Sequence, residues 1–345
     1  METRKLQEVG GGTYTVSIPK QWALGHDLEA GATVSLHSHH DGSIVIRNRA
    51  DEEDAFAGTR VTISDDVGEA TRTVRAAQAV GFEQLTLVAE EPFTDETRRA
   101  VRSLVREIVG TELVEEHERE LVVRSLLGPA DSSVGQSVGQ LRYAALSAYR
   151  RAVDSIADGA DTAALLGERE TEVERLCEMV VRHFSRALVS LEEIDHLGTS
   201  RPELFVACET SKRLCGVTGA GVDIARAAGQ LSDDLPTAVT TELTAVAENT
   251  HQAIEEAASA TFGDRSVEAI HRVHDDLDAV LAEVEALEEA VVEQLQLSDA
   301  AVTDGMAVGR VLDAVAETLE HGQAIADVAL QAALRAEIGA ETESA

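Results

Sequence analysis

Basic side chains that could contact phosphate are concentrated at the start of the chain. Residues 1–49 carry five acidic and five basic side chains, whereas the other 296 residues carry 58 acidic and 24 basic ones. The net charge of -34 therefore lies entirely downstream of a neutral N-terminal segment. Because so acidic a body repels DNA, a surface that binds duplex phosphate must be an exception to this bias. Lys5 and Lys20, two of the three lysines in the chain, lie in this neutral segment.

The polar residues of this segment are of the types that bind nucleic acid. Arginine and lysine contact phosphates, while threonine and glutamine add polar contacts to bases or backbone. Taken alone, these residues are best interpreted as the charged surface that keeps a small β unit soluble. The charge segregation, together with a family resemblance described below, favours DNA binding instead. The candidate DNA-binding residues are Arg4, Lys5, Thr13, Lys20, Gln21 and Arg47.

Two clusters in the sequence contain histidines, a residue type that can act as a metal ligand. His37, His39 and His40 form an HxHH stretch in which His37 and His39 share one face of a strand. No nearby cysteine or second pair completes a site, so a polar hairpin face is favoured. The second pattern lies on one face of a predicted helix at three- and four-residue spacing: His271, His274, Asp275 and Asp278. It could hold one divalent ion, but the surrounding acids favour a solvated face.

The chain lacks the usual signatures of an enzyme. We find no Ser/His/Asp set, no paired catalytic carboxylates, no Cys/His arrangement and no glycine-rich phosphate loop, and we expect no catalytic activity. The three cysteines, Cys177, Cys208 and Cys215, have no CxxC spacing and are predicted to be buried core thiols.

Composition predicts the environment of the protein. Three lysines against 26 arginines and 63 acids are typical of a salt-adapted, halophilic protein, so most acidic clusters are read as hydrated surface. The first residues lead directly into a strand pattern, and no apolar run approaches the roughly 20 residues that span a bilayer. We therefore expect a cytoplasmic protein.

The N-terminal segment, residues 1–49, has the pattern of short strands. Alternating residues 4–9 precede three glycines, a β-branched strand covers 13–18, and Pro19 opens a short helix. Two further strands, 33–37 and 43–47, flank the turn signal Asp41-Gly42. So few apolar residues make too small a core, and we expect this unit to dimerise by interleaving its strands.

This segment resembles the AbrB/SpoVT swapped-hairpin family. The resemblance rests on Arg4-Lys5-Leu6, on Gly-Thr-Tyr-Thr-Val-Ser-Ile-Pro-Lys at 12–20, on Leu-Glu-Ala-Gly-Ala at 28–32 and on Asp-Gly-Ser-Ile-Val-Ile at 41–46. It covers residues 3–49. It implies a dimer whose paired hairpins present basic side chains to duplex DNA.

A charged linker, 50–58, leads to a predicted small α+β module at 59–127. Its elements have the order βαβαββ: strand 60–64, helix 66–80, strand 84–88, helix 94–109 and strands 112–117 and 120–124. Asp65 or Asp66 is expected to cap the first helix, Gly81 to end it and Thr94 to cap the second. A scaffold or sensor role is predicted for the module.

After a second linker the chain is predicted to be entirely helical. The helices are expected at 137–158, 161–196, 202–230, 236–262, 264–296 and 299–338, with Asp161 and Asp264 as caps of the long second helices. Residues 221–228 align with 325–332, which places Asp223 opposite Asp327 in the third helix of each triplet. A tandem repeat of one three-helix unit, at 136–230 and 234–338, explains this alignment.

This half resembles the PhoU family of phosphate-uptake regulators, which are tandem three-helix bundles. In that family, third-helix acids gather iron or other metals. Here Cys215, Gly219, Leu319 and Gln323 stand at positions of those acids, and Asp223 and Asp327 alone keep a polar match. The sequence therefore assigns no particular cofactor. A divalent metal stays open, with Asp223, Asp327, His271 and His274 as weak candidates.

Together these patterns predict a multidomain α+β protein with an N-terminal swapped-hairpin β domain, a βαβαββ module and C-terminal PhoU-like all-α bundles. The expected function is a DNA-binding transcriptional regulator of phosphate uptake, working as a homodimer or higher oligomer on double-stranded DNA. The alternative is a PhoU-type adaptor that contacts a phosphate transporter or sensor kinase without binding DNA. Only the DNA binder would lose affinity steeply with rising salt.

Overall fold

The computed structural model describes residues 3–38, 43–48, 56–126, 133–159, 162–232, 235–263, 266–296 and 302–343. The chain divides into two compact units, residues 1–59 and residues 60–345. The first is a small β unit, and the second combines an α+β sheet with a helical region. The mixed α+β class and the helical C-terminal part are as predicted.

The described part of the first unit contains two separate antiparallel strand pairs and one short helix. Gln7 lies opposite Thr15 in the first pair, and Val34 lies opposite Asn48 in the second. Both first strands are shorter than predicted, because ladder pairing begins at Gln7 and ends at Thr15. The predicted Asp41-Gly42 turn lies outside the described residues. The elements are β1 (Gln7–Val9), β2 (Thr13–Thr15), α1 (Lys20–Gly25), β3 (Val34–Ser38) and β4 (Ile44–Asn48).

The predicted βαβαββ order is observed at the start of the second unit. Four strands form one sheet in the order β5-β6-β8-β7, in which β8 is antiparallel to both neighbours. Val74, Leu87 and Val101 are buried where the two helices cover the sheet. The elements are β5 (Thr59–Ile63), α2 (Val67–Val80), β6 (Gln84–Ala89), α3 (Asp95–Glu107), β7 (Thr111–Glu116) and β8 (Glu120–Ser125).

The two aspartates proposed as alternative caps have different roles. Asp66 caps α2, because its Oδ1 accepts a hydrogen bond from the Glu69 backbone N–H at 2.6 Å. Asp65 instead accepts from the backbone N–H of Thr94 at 3.1 Å. Thr94 caps α3, and Gly81 ends α2 in the left-handed conformation, φ 104°, as predicted.

The helical region is built from two sets of long helices that share a core. In the first set α4 and α5 pack against α7, and in the second α8, α9 and α10 pack against one another. The sets meet through the pairs α7–α10 and α4–α8. The helices are α4 (Val134–Asp158), α5 (Ala163–Ala187), α6 (Leu191–Leu197), α7 (Arg201–Ala228), α8 (Thr237–Ala260), α9 (Val267–Gln296) and α10 (Val302–Glu343).

The single helix predicted over 161–196 is wrong. The chain leaves the helix after Ala187 and starts a new one, α6, at Leu191. Ser190 caps this helix by accepting a hydrogen bond from the Glu193 N–H at 3.2 Å. A local capping signal therefore ends an apolar pattern that would otherwise continue. The predicted caps Asp161 and Asp264 lie outside the described residues.

Close packing of α10 depends on Gly322. A Cβ here would overlap the side chain of Ile254 on α8 and lie 2.8 Å from Leu277 Cδ2 on α9. We expect Gly322→Ala to lower the free energy of unfolding by about 1–3 kcal/mol, because the core must shift to admit a methyl group.

Gly309 on the same helix is the matched control, since a Cβ there meets no atom within 4 Å. Gly309→Ala should be neutral or stabilise by up to about 1 kcal/mol, because alanine is the better helix former. Urea unfolding of both variants measures the difference. Equal losses would contradict the packing role of Gly322.

Candidate nucleic-acid interface

The two N-terminal lysines flank the first strand pair in the sequence. Gln7 faces Thr15 in that pair, Lys5 precedes Gln7 by two residues, and Lys20 follows Thr15 by five as the first residue of α1. Arg4, Lys5, Lys20 and Gln21 are all exposed. Exposed, long cationic side chains are able to reach the phosphates of a duplex.

Two other candidates lie elsewhere in the unit. Thr13 is exposed but sits at the turn end of the hairpin, opposite Val9. Arg47 is on β4, where its backbone pairs with Ser35; its side chain lies outside the described part. The positive φ angles of Gly10 and Gly11, 69° and 75°, make the tight turn that carries Thr13.

Large apolar side chains of this unit are left uncovered in the single chain. Leu6, Tyr14 and Leu36 are 67–69% exposed, and Val16, Ile18, Leu24 and Ile44 are exposed as well. Ile18, Trp22, Leu24 and Leu28 line an open groove of about 690 Å³. Soluble proteins rarely leave so much apolar surface in contact with water.

The weak metal candidates are only partly brought together. His274 Nε2 lies 3.5 Å from Asp327 Oδ1 across α9 and α10, whereas Asp223 accepts a hydrogen bond from Arg226 at 2.8 Å. Asp278 accepts from the Gln323 amide at 2.8 Å. Among the described residues, no group of three or more His, Cys, Asp or Glu side chains is arranged to hold a metal ion. His39 and His40 lie outside the described part; His37 is half-buried on β3.

The sequence patterns did not reveal a buried ionic cluster between the α+β sheet and the helices. Glu193 of α6 is 2% exposed, and its Oε2 accepts a hydrogen bond from Arg186 Nε at 2.9 Å. His183 Nδ1 lies 2.6 Å from Glu193 Oε1. Arg182, beside them on α5, is also 2% exposed. Burial and then the neighbouring Arg186 lower the pKa of Arg182 to about 10, so the guanidinium stays charged at neutral pH.

Arginines of α5 bind the carboxyl ends of the sheet's two helices. Arg182 Nη1 donates to the Gln78 carbonyl at 3.0 Å, and Arg186 Nη1 donates to the Gly81 carbonyl at 2.8 Å, both at the end of α2. Arg175 Nε donates to the Glu107 carbonyl at 2.8 Å, the last residue of α3. Cations are favourable there because carbonyls at a helix C-terminus lack partners and carry partial negative charge.

The spacing of the arginines in α5 is a partial signal of their contacts with the α+β sheet. Arg175, Arg182 and Arg186 recur at seven and four residues, which places them on one face of a helix. In a chain with 26 arginines and 63 acids the same spacing is also expected of a solvated face. Only the burial of Arg182 distinguishes the two interpretations.

No helix among the residues that the structure describes is both long and apolar enough to cross a membrane.

Among known proteins, a family match is found for the N-terminal segment. No curated protein and no solved structure matches the chain. Residues 7–54 match the family model described as antidote-toxin recognition MazE, bacterial antitoxin. This match supports the AbrB-type expectation for the N-terminal part, and the resemblance to PhoU stays a prediction. The N-terminal segment is thus similar to a domain of DNA-binding or antitoxin-type regulators.

Proposed function

We propose that this protein is a DNA-binding transcriptional regulator of phosphate uptake. The observation that carries the DNA-binding part is the exposure of Lys5 and Lys20 within the neutral segment, residues 1–49. The rest of the chain carries the whole net charge of -34 and repels DNA. The MazE match over residues 7–54 supports assigning this surface to a regulator.

A second copy of the chain is the proposed occupant of the exposed apolar surface. Tyr14 and Leu36 belong to the two strand pairs, and Leu6 directly precedes β1; among the described residues the two pairs form separate sheets. Covering apolar surface contributes about 25 cal/mol per Å², so pairing of two units supplies the core that each one lacks. A dimer also doubles the phosphate contacts, which a weakly basic surface needs.

The phosphate part of the proposal rests on the PhoU resemblance of the helical region. Two sets of long helices packed through α7 and α10 are compatible with a tandem bundle. In this hypothesis a phosphate-status signal binds one arrangement of the helices better than another and so alters docking of the N-terminal units. A phosphate transporter or sensor protein is a further candidate partner.

Fluorescence anisotropy of labelled duplexes tests the DNA-binding part. The full chain is titrated against DNA from its own upstream region, from phosphate-transporter promoters and from a shuffled sequence of equal composition. We expect saturable binding that favours one of the natural duplexes. Equal, weak binding to all three, or no binding in any KCl concentration that keeps the protein folded, would contradict a regulatory role on these promoters.

The family match favours one second candidate. Its description names antidote-toxin recognition, so an antitoxin-type role, in which the chain binds a partner protein, is the alternative. Co-expression with the products of neighbouring reading frames separates the two. A stable complex with a growth-inhibiting protein, together with absent DNA binding, would favour the antitoxin role.

A further inference from the structure

Two of the three cysteines lie close together on neighbouring helices. Cys177 lies on α5 and Cys215 on α7, and both side chains belong to the same core. Cys215 Sγ lies 3.7 Å from the carbonyl oxygen of Val173, which is one helical turn before Cys177 on α5. A disulfide needs its two Cβ atoms roughly 3.5–4.5 Å apart, a geometry that side chains on facing turns of packed helices can approach with small adjustments.

Cys177 also lines a cavity where α5 meets the α+β sheet. The cavity has a volume of about 170 Å³, and its walls include Arg75, Gln78, Ile108 and Glu178. A water molecule occupies about 30 Å³ of liquid, so the cavity has room for a small oxidant such as hydrogen peroxide. Cys208, in contrast, is fully buried and does not line this cavity.

The three thiols differ in their readiness to ionise. The hydrogen bond from Cys215 lowers the pKa of Cys177, and Lys212 adds to this effect. The same hydrogen bond and burial raise the pKa of Cys215, and burial raises that of Cys208 to about 11. Because the thiolate is the reactive form and Cys177 is the cysteine that lines the cavity, Cys177 is the nucleophile of the set, and Cys215 on the facing helix resolves its oxidised product.

We propose that Cys177 and Cys215 form a redox-active pair that a peroxide oxidises to a disulfide between α5 and α7. The Cys177 thiolate attacks one peroxide oxygen, the O–O bond breaks, and water leaves after protonation. Cys215 then attacks the resulting sulfenic sulfur, its S–O bond breaks and a second water leaves. Two thiols lose two electrons and two protons in total, and the peroxide becomes two waters. Reduction by a small dithiol restores the pair by exchange.

The proposed disulfide lies on the helix that holds the α+β sheet against the helical region. Cys177 lies between Arg175 and Arg182, which hold the ends of α3 and α2. Its neighbour Glu178 accepts a hydrogen bond from Arg75 of α2 at 3.1 Å. A disulfide would therefore tie this docking helix directly to α7.

Peptide mapping of the full-length protein tests the proposal. Trypsin cleaves after Arg175, Arg182, Lys212, Arg213 and Arg226, so the three cysteines fall in three different peptides. After treatment with hydrogen peroxide and blocking of free thiols, we expect a linked pair of peptides 176–182 and 214–226. The linked mass should lack two hydrogens, return to free peptides with dithiothreitol and leave Cys208 alkylated. A linked Cys208, or sulfinic acid at Cys177 without any linkage, would overturn the assignment.

Alkylation rates in the reduced protein provide a second measurement that needs no variant. Iodoacetamide at neutral pH should label Cys177 at least about tenfold faster than Cys208, because only Cys177 has a lowered pKa and a cavity beside it. Cys208→Ala is the matched control and should still form the disulfide. Equal labelling rates for Cys177 and Cys208 would contradict the proposed nucleophile. None of these outcomes depends on DNA binding.

Discussion

Glu193→Ala should lower the free energy of unfolding of the second unit by about 3 kcal/mol or more. The carboxylate is 2% exposed and accepts hydrogen bonds from both His183 and Arg186. Removing it deprives the partly buried Arg186 guanidinium of its carboxylate contact at 2.9 Å and leaves it with the more distant Glu83 at 3.8 Å, beside the buried cation Arg182. Breaking a buried ionic cluster in this way costs far more than removing a surface pair.

Urea unfolding followed by circular dichroism measures this change. The control is Glu192→Ala, since Glu192 is exposed in the same turn of α6. It should cost no more than about 1 kcal/mol, the range of a charge near a helix N-terminus. Similar losses for the two variants would show that the cluster does not stabilise the docked sheet.

The same cluster predicts a pH dependence. Burial alone would raise the pKa of Glu193, but hydrogen bonds from His183 and Arg186 outweigh it and lower the pKa below the ordinary 4.5. A lowered folded-state pKa contributes stability above the unfolded pKa, and this contribution is lost as pH falls through the folded value. The stability difference between the protein and Glu193→Gln should therefore shrink below about pH 4.5. A difference that stays constant from pH 6 to pH 3 would contradict this titration.

Lys5→Gln combined with Lys20→Gln should weaken duplex binding by roughly 100-fold at fixed moderate salt. Both side chains are exposed, so the substitutions remove charge without disturbing a core. In a dimer they remove four cations from the proposed phosphate-contacting surface. Anisotropy with the best-binding duplex measures the change.

The third lysine of the chain is a natural control for this double variant. Lys212 lies on α7 and pairs with Glu209 at 2.8 Å, within the acidic part of the protein. Lys212→Gln changes the net charge by one unit and should leave DNA affinity within about twofold, because its charge lies outside the proposed surface. Equal weakening by Lys212→Gln would indicate a general effect of net charge.

Local signals in the sequence were sufficient for most elements of the fold. Gly81, Thr94 and the strand pattern of 84–88 locate the elements of the α+β sheet to within two residues. The break after Ala187 differs from the prediction, because the apolar spacing continues into α6 while Ser190 caps a new helix. Helix ends are set by such single hydrogen bonds, which periodicity does not register.

Contacts between elements could not be predicted in the same way. Arg182 binds carbonyls at the end of α2, about a hundred residues earlier in the chain, and in an arginine- and acid-rich sequence it has the pattern of a surface residue. The proximity of Cys177 and Cys215 has no CxxC spacing and depends on how α5 packs against α7.

The salt dependence of duplex binding tests the central claim most directly. The dissociation constant is measured by anisotropy across a KCl series for the protein, for the Lys5→Gln/Lys20→Gln variant and for Lys212→Gln. We expect a linear plot of log Kd against log salt whose slope falls by about 4 in the double variant, roughly one for each lost phosphate contact in a dimer, and is unchanged in Lys212→Gln. A slope unaffected by the double substitution, or no binding at any KCl concentration that preserves the fold, would contradict a DNA-docking role for the N-terminal unit.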